Sequence, residues 1–154
     1  MMNELMALRD ELQIIHKGDA WHGPSLHEIL AGISAAQAAA HPIPAAHSIW
    51  ELVVHIAAWE ETFCRRLQGQ AKVEPDAGDF PAVTETSETA WQQALQTFDR
   101  IHQQFIAQVA ALSESDLDQQ VAGKDYTVRY LLHGTVRHHV YHAGQIALLK
   151  RSLG

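Results

Sequence analysis

Cysteine is nearly absent. Cys64 is the only one in 154 residues, so no disulfide forms within the chain, which fits a reducing compartment. Basic residues are scarce too: eleven Lys and Arg stand against eighteen Asp and Glu, for a formal charge of −7 with histidines neutral. Arg65-Arg66 and Lys150-Arg151 are the only basic clusters. A nucleic-acid binder should show a basic stripe, so that class is set aside. No apolar run approaches the ~18 residues of a membrane span. The opening "MMNELMALRDELQ" is charged and amphipathic, unlike a signal peptide. The expectation is a soluble, cytoplasmic protein. Glycine-rich phosphate loops, GxSxG elbows and CxxC pairs are also missing, so a nucleophilic serine has no support.

What the chain does contain is helical periodicity. Its length suits one domain over residues 1–154. Leu5, Leu8, Leu12 and Ile15 recur at three- and four-residue steps and predict a helix over Asn3–Lys17. "WHGPSLHEILAGI" follows the break at Gly18-Asp19, with Pro24 suited to a first turn and Gly32 to a stop. "SAAQAAAHPIP" has room for one or two turns before its prolines end it.

The second long helix is "SIWELVVHIAAWEETFCRRLQG". Ser48 and Glu51 have capping-box spacing, and Ile49, Leu52, Ile56, Trp59, Phe63 and Leu67 form a core stripe. Trp50 and Trp59 read as core, and Cys64 as a small buried apolar residue. Residues 70–84 read as a surface connection able to shape the mouth of a site. The third helix is predicted over Glu85–Leu112, with Trp91, Leu95, Phe98, Ile101 or His102, Phe105, Val109 and Leu112 on its inner face. The fourth starts near Thr127, with Asp125 or Thr127 as cap, and runs to the end of the sequence. No repeat or convincing strand is present, and "VAGKDYTV" passes at most as an isolated hairpin fragment. Four long helices with longish links predict an all-α four-helix bundle.

Eleven histidines are the other unusual feature. His138 and His142 lie four apart, about 40° of rotation and 6 Å of rise on a helix. Both rings can therefore face one ion. A chain this rich in histidine holds about one such pair by chance, so the spacing alone does not separate a metal pair from hydrogen-bonded core histidines. His55 sits between Val54 and Ile56 in "WELVVHIAAWE". Its ring needs partners for both nitrogens: a carbonyl, Glu51 one turn earlier, water, or an ion shared with the fourth helix. Three imidazoles would leave positions open for water or substrate, the pattern of catalytic rather than structural sites. His102 and His133 read as edge or surface. His22 and His27 read as solvated or pocket-lining, and His41 and His47 belong to the proline link.

"HSIWELVVHIAAWEE" at 47–61, "YLLHGTVRHHVYHAGQIALLK" at 130–150 and "GDAWHGPSLHEIL" at 18–30 resemble the DinB/YfiT-like family of metal-dependent proteins. The resemblance implies a four-helix bundle with one divalent metal, zinc or nickel first, held by His55, His138 and His142. It implies a homodimer, and it implies thiol chemistry: transfer of a low-molecular-weight thiol to an electrophilic substrate, or a hydrolase of related type. Gln145 and Tyr141 are then the candidate catalytic residues, and Glu51 a candidate to orient His55. An acidic or amide residue often stands in the family where this chain has His139, which leaves that ring as an outer partner, an alternative ligand or a surface group. Two rival readings need no chemistry: a non-catalytic metal-binding or stress-response protein, and a structural helical dimer without metal.

Overall fold

Each long helix starts where a short polar side chain closes its first turn. The computed structural model describes residues 1–154. The Asn3 side chain accepts from the Met6 amide and opens α1, Glu4–Lys17. Two short helices follow, α2 at Leu26–Leu30 and α3 at Ala35–Ala39, each closed by a serine capping box. Ser48 and Glu51 exchange hydrogen bonds of 3.1 and 2.8 Å and open α4, Ile49–Leu67. The α5 helix covers Glu88–Ala110 and α6 covers Val128–Ser152, with Ser87 and Thr127 as their caps. The predicted start at Glu85 moves to Glu88 because the Ser87 hydroxyl accepts from the Ala90 amide at 3.1 Å. Between α5 and α6, Glu114–Asp118 forms a 3-10 turn. The "VAGKDYTV" segment carries one antiparallel bridge, Gln120 to Thr127, and no strand. The chain is all-helical, and no helix is long and apolar enough to cross a membrane.

Cross-helix contacts set the directions of the long helices. Trp50 meets Trp91 with ring centroids 5.1 Å apart, and ten and eleven residues on, Glu60 meets His102. The α4 and α5 helices therefore run the same way, which requires the long crossover of residues 68–87 between them. Arg129 at the start of α6 pairs with Glu4 at the start of α1, so these two run together. Glu60 faces His139 while His55 faces His142, so α6 opposes α4. Arg66, although buried, pins the crossover: its guanidinium donates to the carbonyls of Lys72 and Val73 at 2.7 and 2.6 Å and to the Tyr126 hydroxyl at 3.0 Å.

The apolar interior is split in two. One cluster joins α2, α3, the first halves of α4 and α5 and the last turns of α6, around Trp50, Ile56, Trp91 and Ile146. The other joins α1, the ends of α4 and α5 and the start of α6, around Leu12, Phe105, Leu117 and Leu132. Between them lie buried polar side chains from all four long helices: His16, His55, Glu60, His102, His139 and His142. Burying this many polar groups is unfavourable unless something pairs them.

Candidate metal centre

His55 on α4 and His138 and His142 on α6 turn their Nε2 atoms toward one point. The three Nε2–Nε2 distances are 3.1 Å for His55–His138, 3.0 Å for His55–His142 and 3.2 Å for His138–His142. Ligands at ~2.0–2.1 Å from a shared ion stand about 2.9–3.4 Å apart for octahedral to tetrahedral angles, so the spacing fits a cation.

Proton positions sharpen the fit. The His55 Nδ1–H donates to the Asp79 carbonyl at 2.6 Å, and a carbonyl only accepts. The His142 Nδ1–H donates to Gln145 Oε1 at 2.6 Å. In a neutral imidazole with Nδ1 protonated, Nε2 carries a lone pair. Two lone pairs therefore face each other at 3.0 Å, a repulsion that a cation between them relieves, as does an N–H donated from His138 Nε2 at 3.1 and 3.2 Å. All three ligand candidates lie at least partly out of water: His55 and His142 are buried and His138 is half-buried. Burial, then the neighbouring His142 and His55 rings, push His138 down to about 3. Burial also lowers His142. Both are neutral at pH 7, the state in which imidazole binds metal.

The supports come largely from the 68–87 crossover. Phe80 stacks on His55 at 4.1 Å between centroids and 13° between planes. Asp79 accepts through its carbonyl from His55 and through its carboxylate from the Trp59 indole N–H at 2.7 Å. Trp59 is thus half-exposed beside the site rather than a core residue, because its N–H has this partner. Phe63 and Leu67, further along the predicted stripe, are likewise only half-buried. Glu51 does not orient His55. Its Oε2 accepts instead from the Ser48 amide, His41 and His47. Gln145 orients His142 itself. Outer partners of ligating histidines are worth ~10–100-fold in metal affinity, so Gln145→Ala is expected to weaken any divalent-metal binding here by about tenfold or more, with the helical circular dichroism unchanged. Competition titration against a chromophoric chelator measures this.

A cleft of about 600 Å³ opens over the three rings, walled by Trp59, Phe63, Phe80, Tyr141 and Gln145. Tyr141 is 67% exposed at its rim, with its ring 5.1 Å from that of His142.

The remaining histidines divide. His22 is exposed, His41 and His47 pair with Glu51, and His133 pairs with Glu4 at the edge of the fold. His27 donates to Asp99 at 2.6 Å beside a second cleft. His102, predicted at an edge, is instead buried: its Nδ1 bonds Glu60 at 2.8 Å. His139 is wholly buried and faces Glu60 rather than the three-histidine group. Sequence reasoning did not single out His16, Glu60, Asp79 or Phe80. The apolar period of α1 and α4 accommodates His16 and Glu60 without marking them, and nothing local in the crossover shows that it returns to His55.

An all-helical chain with three imidazoles converging from two helices at the floor of a cleft defines a class of candidate metal proteins. The sequence model of the DinB superfamily matches residues 20–146. The chain belongs to that superfamily. No curated protein and no solved structure gives a significant match.

Proposed function

We propose that the protein is a metal-dependent enzyme built on a four-helix bundle, holding one divalent ion, zinc or nickel, at His55, His138 and His142. The opposed Nε2 lone pairs of His55 and His142, 3.0 Å apart with both protons accounted for on Nδ1, carry this reading. Imidazole suits zinc, nickel, copper and iron alike. When bound, such an ion supplies Lewis acidity and favours the thiolate form of a bound thiol.

The chain's own residues supply the rest. Asp79 and Gln145 hold two rings in the tautomer that presents Nε2. Trp59, Phe63 and Phe80 exclude water from one wall of the cleft and offer apolar faces to an electrophile. Tyr141 and Gln145 are the polar groups placed to orient it. The reaction class, transfer of a low-molecular-weight thiol to an electrophilic centre, comes from the family resemblance, as do a homodimeric state and a cytoplasmic location.

The test is turnover. Untagged protein loaded with zinc or nickel is incubated with glutathione, bacillithiol or mycothiol and a panel of electrophiles. Conjugate formation above the metal-only control is expected, and Tyr141→Phe should lower it. Stoichiometric metal with no conjugate from any thiol would leave a non-catalytic metal-binding protein. No metal at all, with melting indifferent to added zinc or nickel, would leave a structural helical protein.

A further inference from the structure

Glu60, His102 and His139 occupy the centre of the polar layer, one each from α4, α5 and α6. Glu60 and His139 are 0% exposed and His102 is 5% exposed. The His102 Nδ1 lies 2.8 Å from Glu60 Oε1, and the His139 Nε2 lies 3.7 Å from the same oxygen. One donor atom from each residue falls within 4.8 Å of the other two. That single 2.8 Å hydrogen bond is all the pairing they have. Glu60 Oε2, His102 Nε2 and both nitrogens of His139 are buried without a protein partner.

Such a cluster is expensive as it stands. Glu60 is out of water with a partner on one oxygen only, and burying a carboxyl group or an imidazole nitrogen without its full set of partners is unfavourable. The neighbouring group on α1, α2 and α5 shows the contrast. There Asp99, 36% exposed, accepts from both His16 and His27, so its acid is already paired.

We propose that Glu60, His102 and His139 form a second divalent-cation site, separate from the three-histidine group and closed to solvent. Two imidazoles and one carboxylate are a donor set for zinc or iron(II). A cation would hold Glu60 as a carboxylate and take the lone pair of one nitrogen on each ring. Its ring at position 139 stands 6.2 Å from the ring of His138, so the two sites are neighbours on one helix and share no ligand. Because the cluster is closed while the three-histidine group opens on the cleft, the two ions differ in exchange. The outer ion leaves readily, and the inner one leaves only when the helices part.

The full-length untagged chain is refolded in the presence of zinc, desalted and assayed by elemental analysis. Two equivalents per chain are expected. A soluble chelator should strip one under native conditions and the other only in denaturant. Glu60→Gln and His102→Gln should each lose the slow equivalent and keep the fast one, while His142→Ala loses the fast and keeps the slow. Cadmium-substituted wild-type protein provides a measurement that needs no variant: two cadmium NMR resonances are expected. No cadmium resonance that survives native chelator treatment, absence of the slow equivalent in the wild type, or its retention in both Glu60→Gln and His102→Gln would overturn the proposal and indicate a cluster that holds only water or a proton. A slow equivalent present without a fast one would support the inner site and count against the three-histidine reading.

Discussion

His142→Ala abolishes binding of the exchangeable metal equivalent and leaves the helical circular dichroism essentially unchanged. This is the largest functional effect expected of a single substitution. His142 Nε2 lies 3.0 Å from that of His55 and 3.2 Å from that of His138, and with the 3.1 Å His55–His138 separation the three close a nearly equilateral donor set. Without it two imidazoles on different helices remain. Losing even an outer partner of a ligand weakens binding by ~10–100-fold, so losing the ligand itself should exceed about 100-fold. The helix does not depend on this ring. Its burial rests on Leu131, Leu132, Ile146 and Leu149, and alanine is the best helix former. In chelator, removing one of the two opposed lone pairs of His55 and His142 offsets part of the lost packing.

Thermal melting separates the two contributions. An ion at a thousandfold excess over its Kd stabilises by about 4 kcal/mol, which for a chain of this size is a gain of roughly 10 °C. Wild-type protein should show that gain from the exchangeable ion, and His142→Ala should not. Wild-type affinity in the variant, measured by elemental analysis and competition titration, would remove His142 from the site.

Acid should unfold the metal-free protein from an unusually high pH. His16 is buried at the end of α1, where burial first, then the stacked His102 ring, push it down to about 3. His138 is likewise pushed down to about 3, and wholly buried His139 falls well below its ordinary value. In the unfolded chain these rings titrate near 6.5. Between about 6.5 and 3 the unfolded state therefore binds more protons than the folded one, and stability falls as pH falls. The full stability is present above about pH 6.5. Each ring removes up to about 1.4 kcal/mol per pH unit below it. Three such rings exhaust a typical margin of ~5–15 kcal/mol within a few pH units. Urea midpoints of protein unfolded and refolded in chelator should decline steeply from pH 6.5 to 5. His16→Gln should reduce that slope by about one proton while keeping a donor for Asp99. A midpoint independent of pH over this range would contradict the burial of neutral histidines.

Much of the helical layout was legible because it is decided locally. Asn3, Ser48 and Thr127 each close a turn three residues ahead, and that spacing is visible in any window of the sequence. The alternation of Ile49, Leu52 and Ile56 marked the inner face of α4, yet the same alternation extended to Trp59, which the fold turns toward Asp79. Glu51 misled for a similar reason. It lies one turn before His55, but the capping box and the two linker histidines already use its carboxylate. For His102 the helical period allowed either it or Ile101 to face inward; both are buried, and only the presence of Glu60 opposite explains the histidine.

By itself the sequence determined the long helices, the Ser48–Glu51 capping box and the nearness of His138 to His142 on one helix, since these rest on bonds and side-chain spacings of three or four residues. Only the tertiary structure decided which rings meet across helices and what holds them. His55 is 83 residues from His138 and 24 from the Asp79 carbonyl that sets its tautomer, and Glu60 is 42 from His102. Contacts over such separations depend on helix direction and on where the crossover folds back, and no local preference encodes either.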